Sequence, residues 1–167
     1  MIPTARRAAV VGVAVVLTAT GCASEPDNRV TPSAFTRDMA ESVFRETVAG
    51  VEKSGMTDFC ARFARSDQTC DTLLEDALRR CLLPGNRPVV KRAVHLPATD
   101  GYGEAWQLKV HGRTLDGQDY RSDFLVIRTG DGTPKAELGI YWTGQGQGRD
   151  MNNPPQDTLV PQNACPK

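Results

Sequence analysis

A chain of 167 residues with 24% charged and 40% hydrophobic side chains is sized for one globular domain with its own core. Twenty basic residues balance twenty acidic ones and no basic block stands out, which argues against a nucleic-acid-binding face. With two histidines, no Cys-x-x-Cys or His-Glu-x-x-His spacing, and no hydrolase, Walker-type or dinucleotide fingerprint, neither a metal nor a cofactor is expected.

Residues 1–21 read as an export leader. Arg6 and Arg7 give a positive start, and the twelve residues from Ala8 to Ala19 form an apolar run too short to span a bilayer as a helix. The segment Thr18-Ala19-Thr20-Gly21-Cys22, followed by polar Ser24, Glu25 and Asp27, resembles the lipobox of bacterial lipoproteins. Ala19 stands where that family usually carries leucine. The resemblance implies cleavage before Cys22 and a diacylglycerol on its thiol, which would anchor the exported protein at the outer surface of the cell membrane. At about 0.8 kcal/mol per buried CH₂, two or three acyl chains make a stable anchor. Without Arg6 and Arg7 the chain carries 18 basic and 20 acidic residues, a net charge of −2. Residues 22–31 read as the lipidated cysteine and a short polar tether.

The domain is expected over residues 32–143. Thr31-Pro32-Ser33 offers a hydroxyl cap and a first-turn proline, so a helix is expected to open there. Phe35, Met39, Val43, Thr47 and Val51, widened by Ala40, Phe44 and Val48, form its apolar stripe, and Ser54-Gly55 ends it. A short second helix is expected over Thr57–Ala64, with Phe59 and Phe63 one turn apart. A third is expected from about Thr69 to Leu83, with Cys70, Leu73, Leu74, Ala77, Leu78 and Cys81 on one face and Pro84-Gly85 as the stop.

From Arg87 to Thr143 the spacing predicts four antiparallel strands, the first carrying Val89, Val90, Val94 and Leu96. Bulky residues then recur at even numbers: Trp106, Leu108 and Val110, then Phe124 and Val126, then Leu138, Ile140 and Trp142. Gln107, Lys109, His111, Arg121, Asp123 and Glu137 occupy the opposite parity. This alternation predicts one face turned to the helices and a polar outer face. Leu125, Ile127 and Tyr141 fall on the outer face, where an apolar cluster would suit a homodimer or a partner protein. Asp116-Gly117 and Asp131-Gly132 supply the turns. Helices followed by strands make an α+β order rather than a parallel α/β one.

Four cysteines remain besides Cys22, an even number in a chain expected to meet an oxidising compartment. Three connectivities are possible. We favour Cys60–Cys70, across the turn between the second and third helices, and Cys81–Cys165, clipping the otherwise patternless tail of residues 144–167.

Three helices ahead of a curved four-stranded sheet resemble the cone-shaped nuclear-transport-factor-2-like superfamily over about residues 32–143. With Cys60 and Cys70 in their places, the chain is similar to small actinobacterial lipoproteins of that shape. The resemblance implies a funnel between helices and sheet, used by some relatives for isomerase chemistry and by others for ligand binding. Trp106, Tyr120, Phe124 and Trp142 are the expected aromatic walls for a small apolar ligand. An isomerase- or hydratase-like enzyme would instead need a carboxylate base beside a donor such as Tyr120. Asp123 and His111 have the wrong parity for that, and His95 is expected as a solvated strand-end residue. A non-enzymatic surface lipoprotein, binding a small apolar ligand or a cell-envelope partner, is therefore the expected function.

Overall fold

A computed structural model describes residues 34–85, 87–144, 157–163 and 165, all within the unit Pro32–Lys167. The expected leader, the expected lipidation site Cys22 and the expected Thr31–Ser33 cap lie outside the described residues. Among those described, three helices precede a four-stranded antiparallel sheet: α1 (Arg37–Ser54), α2 (Phe59–Phe63), α3 (Asp67–Arg79), β1 (Val89–Leu96), β2 (Ala105–Arg113), β3 (Asp119–Arg128) and β4 (Pro134–Ala136). The sheet order is β1-β2-β3-β4.

The α1 helix starts later than the Thr31-Pro32-Ser33 signal suggests. Thr36 is its cap, with Oγ1 accepting the Met39 N–H at 3.3 Å. Phe35, expected as the first residue of the stripe, sits ahead of the cap and is buried. The helix ends at Gly55, as expected, where φ is 65° and the N–H returns to the Val51 carbonyl. Its apolar stripe and those of α2 and α3 close on the even-numbered face of the sheet in one core.

The α3 helix also ends early, before Pro84-Gly85. Arg80 is the cap and Cys81 takes φ 55°. The Cys81 N–H bonds the Leu78 carbonyl at 2.9 Å and the Leu82 N–H bonds the Ala77 carbonyl at 2.8 Å. This is the Schellman pattern, with cysteine where glycine is usual. Leu78, whose spacing placed it on the buried stripe, is 43% exposed, and the chain that winds off after it buries Leu82.

Strands β2 and β3 pair in unbroken register from Ala105↔Ile127 to Arg113↔Asp119. Leu108, Val110, Phe124 and Val126 accordingly share the buried face that alternation predicts. The turn glycines Gly117 and Gly132 take φ 87° and 85°. In β1 a bulge between Val90 and Arg92 shifts the parity, so that Val90, Ala93 and His95 pair with Val110, Leu108 and Trp106.

The fourth strand departs most from expectation. Pairing stops at Ala136, so Leu138, Ile140 and Trp142 are not strand residues. Gly139 follows at φ 74°, where a Cβ would also meet the Phe59 ring at 3.3 Å. The turn it makes cancels the alternation. Tyr141 consequently points inward beside Trp142, not onto the outer face: its ring centroid lies 5.4 Å from Phe44 and 5.0 Å from Trp142.

Two disulfides join Cys60 to Cys70 and Cys81 to Cys165. The tail reaches the second through ordered contacts. Leu159 exchanges backbone hydrogen bonds with Arg121, while Arg80 donates to the Pro161 carbonyl at 2.7 Å and to Asn163 Oδ1 at 3.0 Å.

Candidate functional site

The four expected ligand-lining aromatics lie on the helix-facing side, and Trp106, Phe124 and Trp142 have ring or hydrogen-bond partners there. Trp142 is fully buried, donates Nε1–H to the Leu82 carbonyl at 3.1 Å, and has the Phe59 ring at 5.7 Å. Phe124 meets Phe44 edge-on at 5.0 Å. Half-buried Trp106 donates Nε1–H to the Phe35 carbonyl at 3.1 Å, tying β2 to the entry of α1. Such edge-to-face pairs contribute roughly 0.5–1.5 kcal/mol each beyond area burial. Two of the four rings thus lie against other core aromatics and both indole N–H groups are satisfied by backbone, an arrangement that organises a core.

Tyr120 differs. It is 1% exposed and lies over Gly112, its cross-strand partner, where a Cβ would stand 2.3 Å from the phenol oxygen. Its hydroxyl makes no hydrogen bond to the described residues. Burial first, then the neighbouring Tyr141, pushes its pKa far above that of an ordinary phenol. It can donate a hydrogen bond but will not act as a base at neutral pH. A buried hydroxyl left without a partner costs about 1–3 kcal/mol. Tyr120→Phe is therefore expected to raise stability by about 1 kcal/mol in urea denaturation; a loss instead would show that a water or ligand engages the phenol.

The carboxylate that an acid–base pair would require is elsewhere. Asp123 points to the outer face, as its parity predicts, but it is buried there rather than solvated, at 1% exposure. Its directly opposite neighbour Lys109 places Nζ 2.7 Å from Oδ1, and the Gln107 amide donates to Oδ2 at 2.9 Å. These two long side chains reach the carboxylate from β2. Burial raises the Asp123 pKa despite the lysine, whose hydrogen bond and charge act the other way. His111 is also on the outer face. Burial first, then the charges of Arg121 and Lys91, hold its imidazole below its ordinary value, while Asp157 opposes them.

A third cluster was not foreseen. His95 faces the helix side because of the β1 bulge, its ring centroid 4.9 Å from that of Trp106. Its Nε2 lies 2.8 Å from Glu104 Oε1, and Glu104 Oε2 lies 3.6 Å from Arg128 Nη1. The histidine side chain is 43% exposed, so this is a solvated rim network, a hydrogen bond to Glu104 and an ion pair from Glu104 to Arg128, that links three strand ends. Only the cross-strand register brings these residues together, and the bulge hides that register from simple counting. Among the described residues no three His, Cys, Asp or Glu side chains converge on a metal-binding point.

No protein-family model, curated protein or solved structure matches the chain. Function must therefore be argued from the geometry.

Proposed function

We propose that this chain is an exported, lipid-anchored cell-envelope protein whose cone-shaped, nuclear-transport-factor-2-like domain works by binding at its surface and not by catalysis. The observation that carries the reading is the division of labour between the two sheet faces. Tyr120 and the aromatic residues occupy one side, while Asp123 and His111 occupy the other; His95, on the phenol's side with Glu104 beside it, stands at the opposite end of β2, so among the described residues no acid–base pair lies beside the phenol. The packed state of Phe124 and Trp142 favours a cell-envelope partner over a ligand held among the rings. The lipobox-like segment ending at Cys22 supports the anchor.

A second reading, a small ligand bound within the cone, is favoured only by the lone Tyr120 hydroxyl. Native mass spectrometry of protein purified from its own host separates the two. The surface reading predicts the mass of the acylated polypeptide alone, whereas a stoichiometric additional mass, lost in Tyr120→Phe, would replace it with the ligand reading. Cys22→Ser is expected to move the protein from the membrane fraction to the medium or to an uncleaved precursor; a mutant that matures and stays membrane-held would remove the anchor.

A further inference from the structure

One end of the outer sheet face gathers positive charge beside exposed aliphatic side chains. Val89, His111 and Arg121 are successive cross-strand partners, and Leu159 pairs with Arg121 beyond them, so the four form one row across the face. The next row is Arg92, Lys109 and Asp123, and Lys91 occupies the bulge between the rows. Asp123 neutralises Lys109. Lys91, Arg92 and Arg121 are exposed and make no ion pair among the described residues. Burial first, then Arg121 and Lys91, lower the His111 pKa, and Asp157 opposes them, so both cations lie close to His111 with one acid beside them. Beside these cations, Val89 is 46% exposed and Leu159 38%.

We infer that this end of the sheet docks on an anionic phospholipid bilayer. The inference rests on the lipid-anchor reading above. Guanidinium and ammonium groups would meet the phosphates, and Val89 and Leu159 would meet the boundary with the acyl chains. An acidic polymer in solution would satisfy the charges and leave the aliphatic residues unexplained. A second copy of this chain is disfavoured, because a two-fold contact through this end would set like charges against each other. Proximity favours the bilayer as well. Eleven residues separate Cys22 from Ala34, a span of at most about 40 Å. Tethering holds the face at high effective concentration near the lipid, so a weak surface affinity suffices.

The test uses the acylated full-length protein, reconstituted in vesicles of phosphatidylcholine alone or with about one third phosphatidylglycerol. An amine-reactive reagent labels Lys91, and exposed Lys53 on α1 serves as the internal reference. Docking predicts that Lys91 reacts at least about threefold more slowly on the anionic vesicles with Lys53 unchanged, and that about 0.5 M salt removes the difference. Arg92→Glu with Arg121→Glu should remove it too. Protein that floats with the vesicles yet labels equally at Lys91 on both compositions overturns the docking and leaves the anchor standing. Protein that does not float overturns the anchor reading and the docking with it. Protection of Lys91 by a soluble polyanion on neutral vesicles, with none from phosphatidylglycerol, overturns the bilayer as the partner.

Discussion

Lys109→Met is expected to cost about 3–5 kcal/mol of stability at pH 7, read from urea denaturation, because it strands a buried carboxylate. Asp123 is 1% exposed and its Oδ1 has the Lys109 ammonium at 2.7 Å. Gln107 remains at Oδ2, but an amide cannot replace a charge. The pH dependence has a definite sign. Burial already raises the Asp123 pKa in the folded state. This group's contribution is therefore fully present below the ordinary carboxylate range and is lost as pH rises through the raised value. Without Lys109 the folded pKa rises further, so the deficit should be largest at neutral pH and shrink on acidification. Lys109→Met combined with Asp123→Leu removes both charges and should recover most of the loss, since replacing a buried pair by apolar side chains is often neutral. The exposed pair Arg113–Asp119, at 2.8 Å on the same sheet, is the control. Breaking it should cost no more than a few tenths of a kcal/mol. A Lys109→Met loss as small as the control's would mean that water reaches Asp123.

How much of this was legible beforehand depended on whether the backbone stayed regular. Between Ala105 and Arg128 the ladder runs without interruption, and counting by twos was enough to place Leu108, Val110, Phe124 and Val126 inside and Asp123 and His111 outside. The count failed wherever one residue changed the period. The bulge at Lys91 turned His95 towards Trp106, and Gly139 turned Tyr141 into the core. Helix ends misled for a related reason. Thr31 and Thr36 both offer a capping hydroxyl, and nothing local ranks them; Phe35 does, because its carbonyl receives the Trp106 indole from a strand 71 residues away. Burial of Asp123 was beyond reach of the pattern as well. Alternation assigns a face, whereas burial on that face depends on how Lys109 and Gln107 fold over their neighbour.

Opening the Cys81–Cys165 bridge is expected to cost about 4 kcal/mol, because 84 residues separate its ends and the loop-entropy contribution grows with that span. The result should depend on what replaces Cys81. That residue holds φ 55° at the end of α3, a conformation that L side chains take at a cost and glycine takes freely. Cys81→Gly with Cys165→Ala should therefore be more stable than Cys81→Ala with Cys165→Ala by about 1 kcal/mol, although both lack the bridge. Cys60→Ala with Cys70→Ala gives the contrast. That loop spans only 10 residues, so its entropy effect is smaller, while burial of both sulfurs adds a packing loss that no choice of backbone-permissive residue can relieve. Hydrogen exchange should show where the long bridge acts. With it open, the Leu159 and Arg121 amides, which bond each other's carbonyls at 3.0 and 3.2 Å, should lose protection, while Leu108 and Phe124 keep theirs. A denaturation midpoint unmoved by the double substitution would mean that the Arg80 and Gln118 hydrogen bonds to residues 161–163 hold the tail by themselves, and that its cysteine adds nothing to the fold.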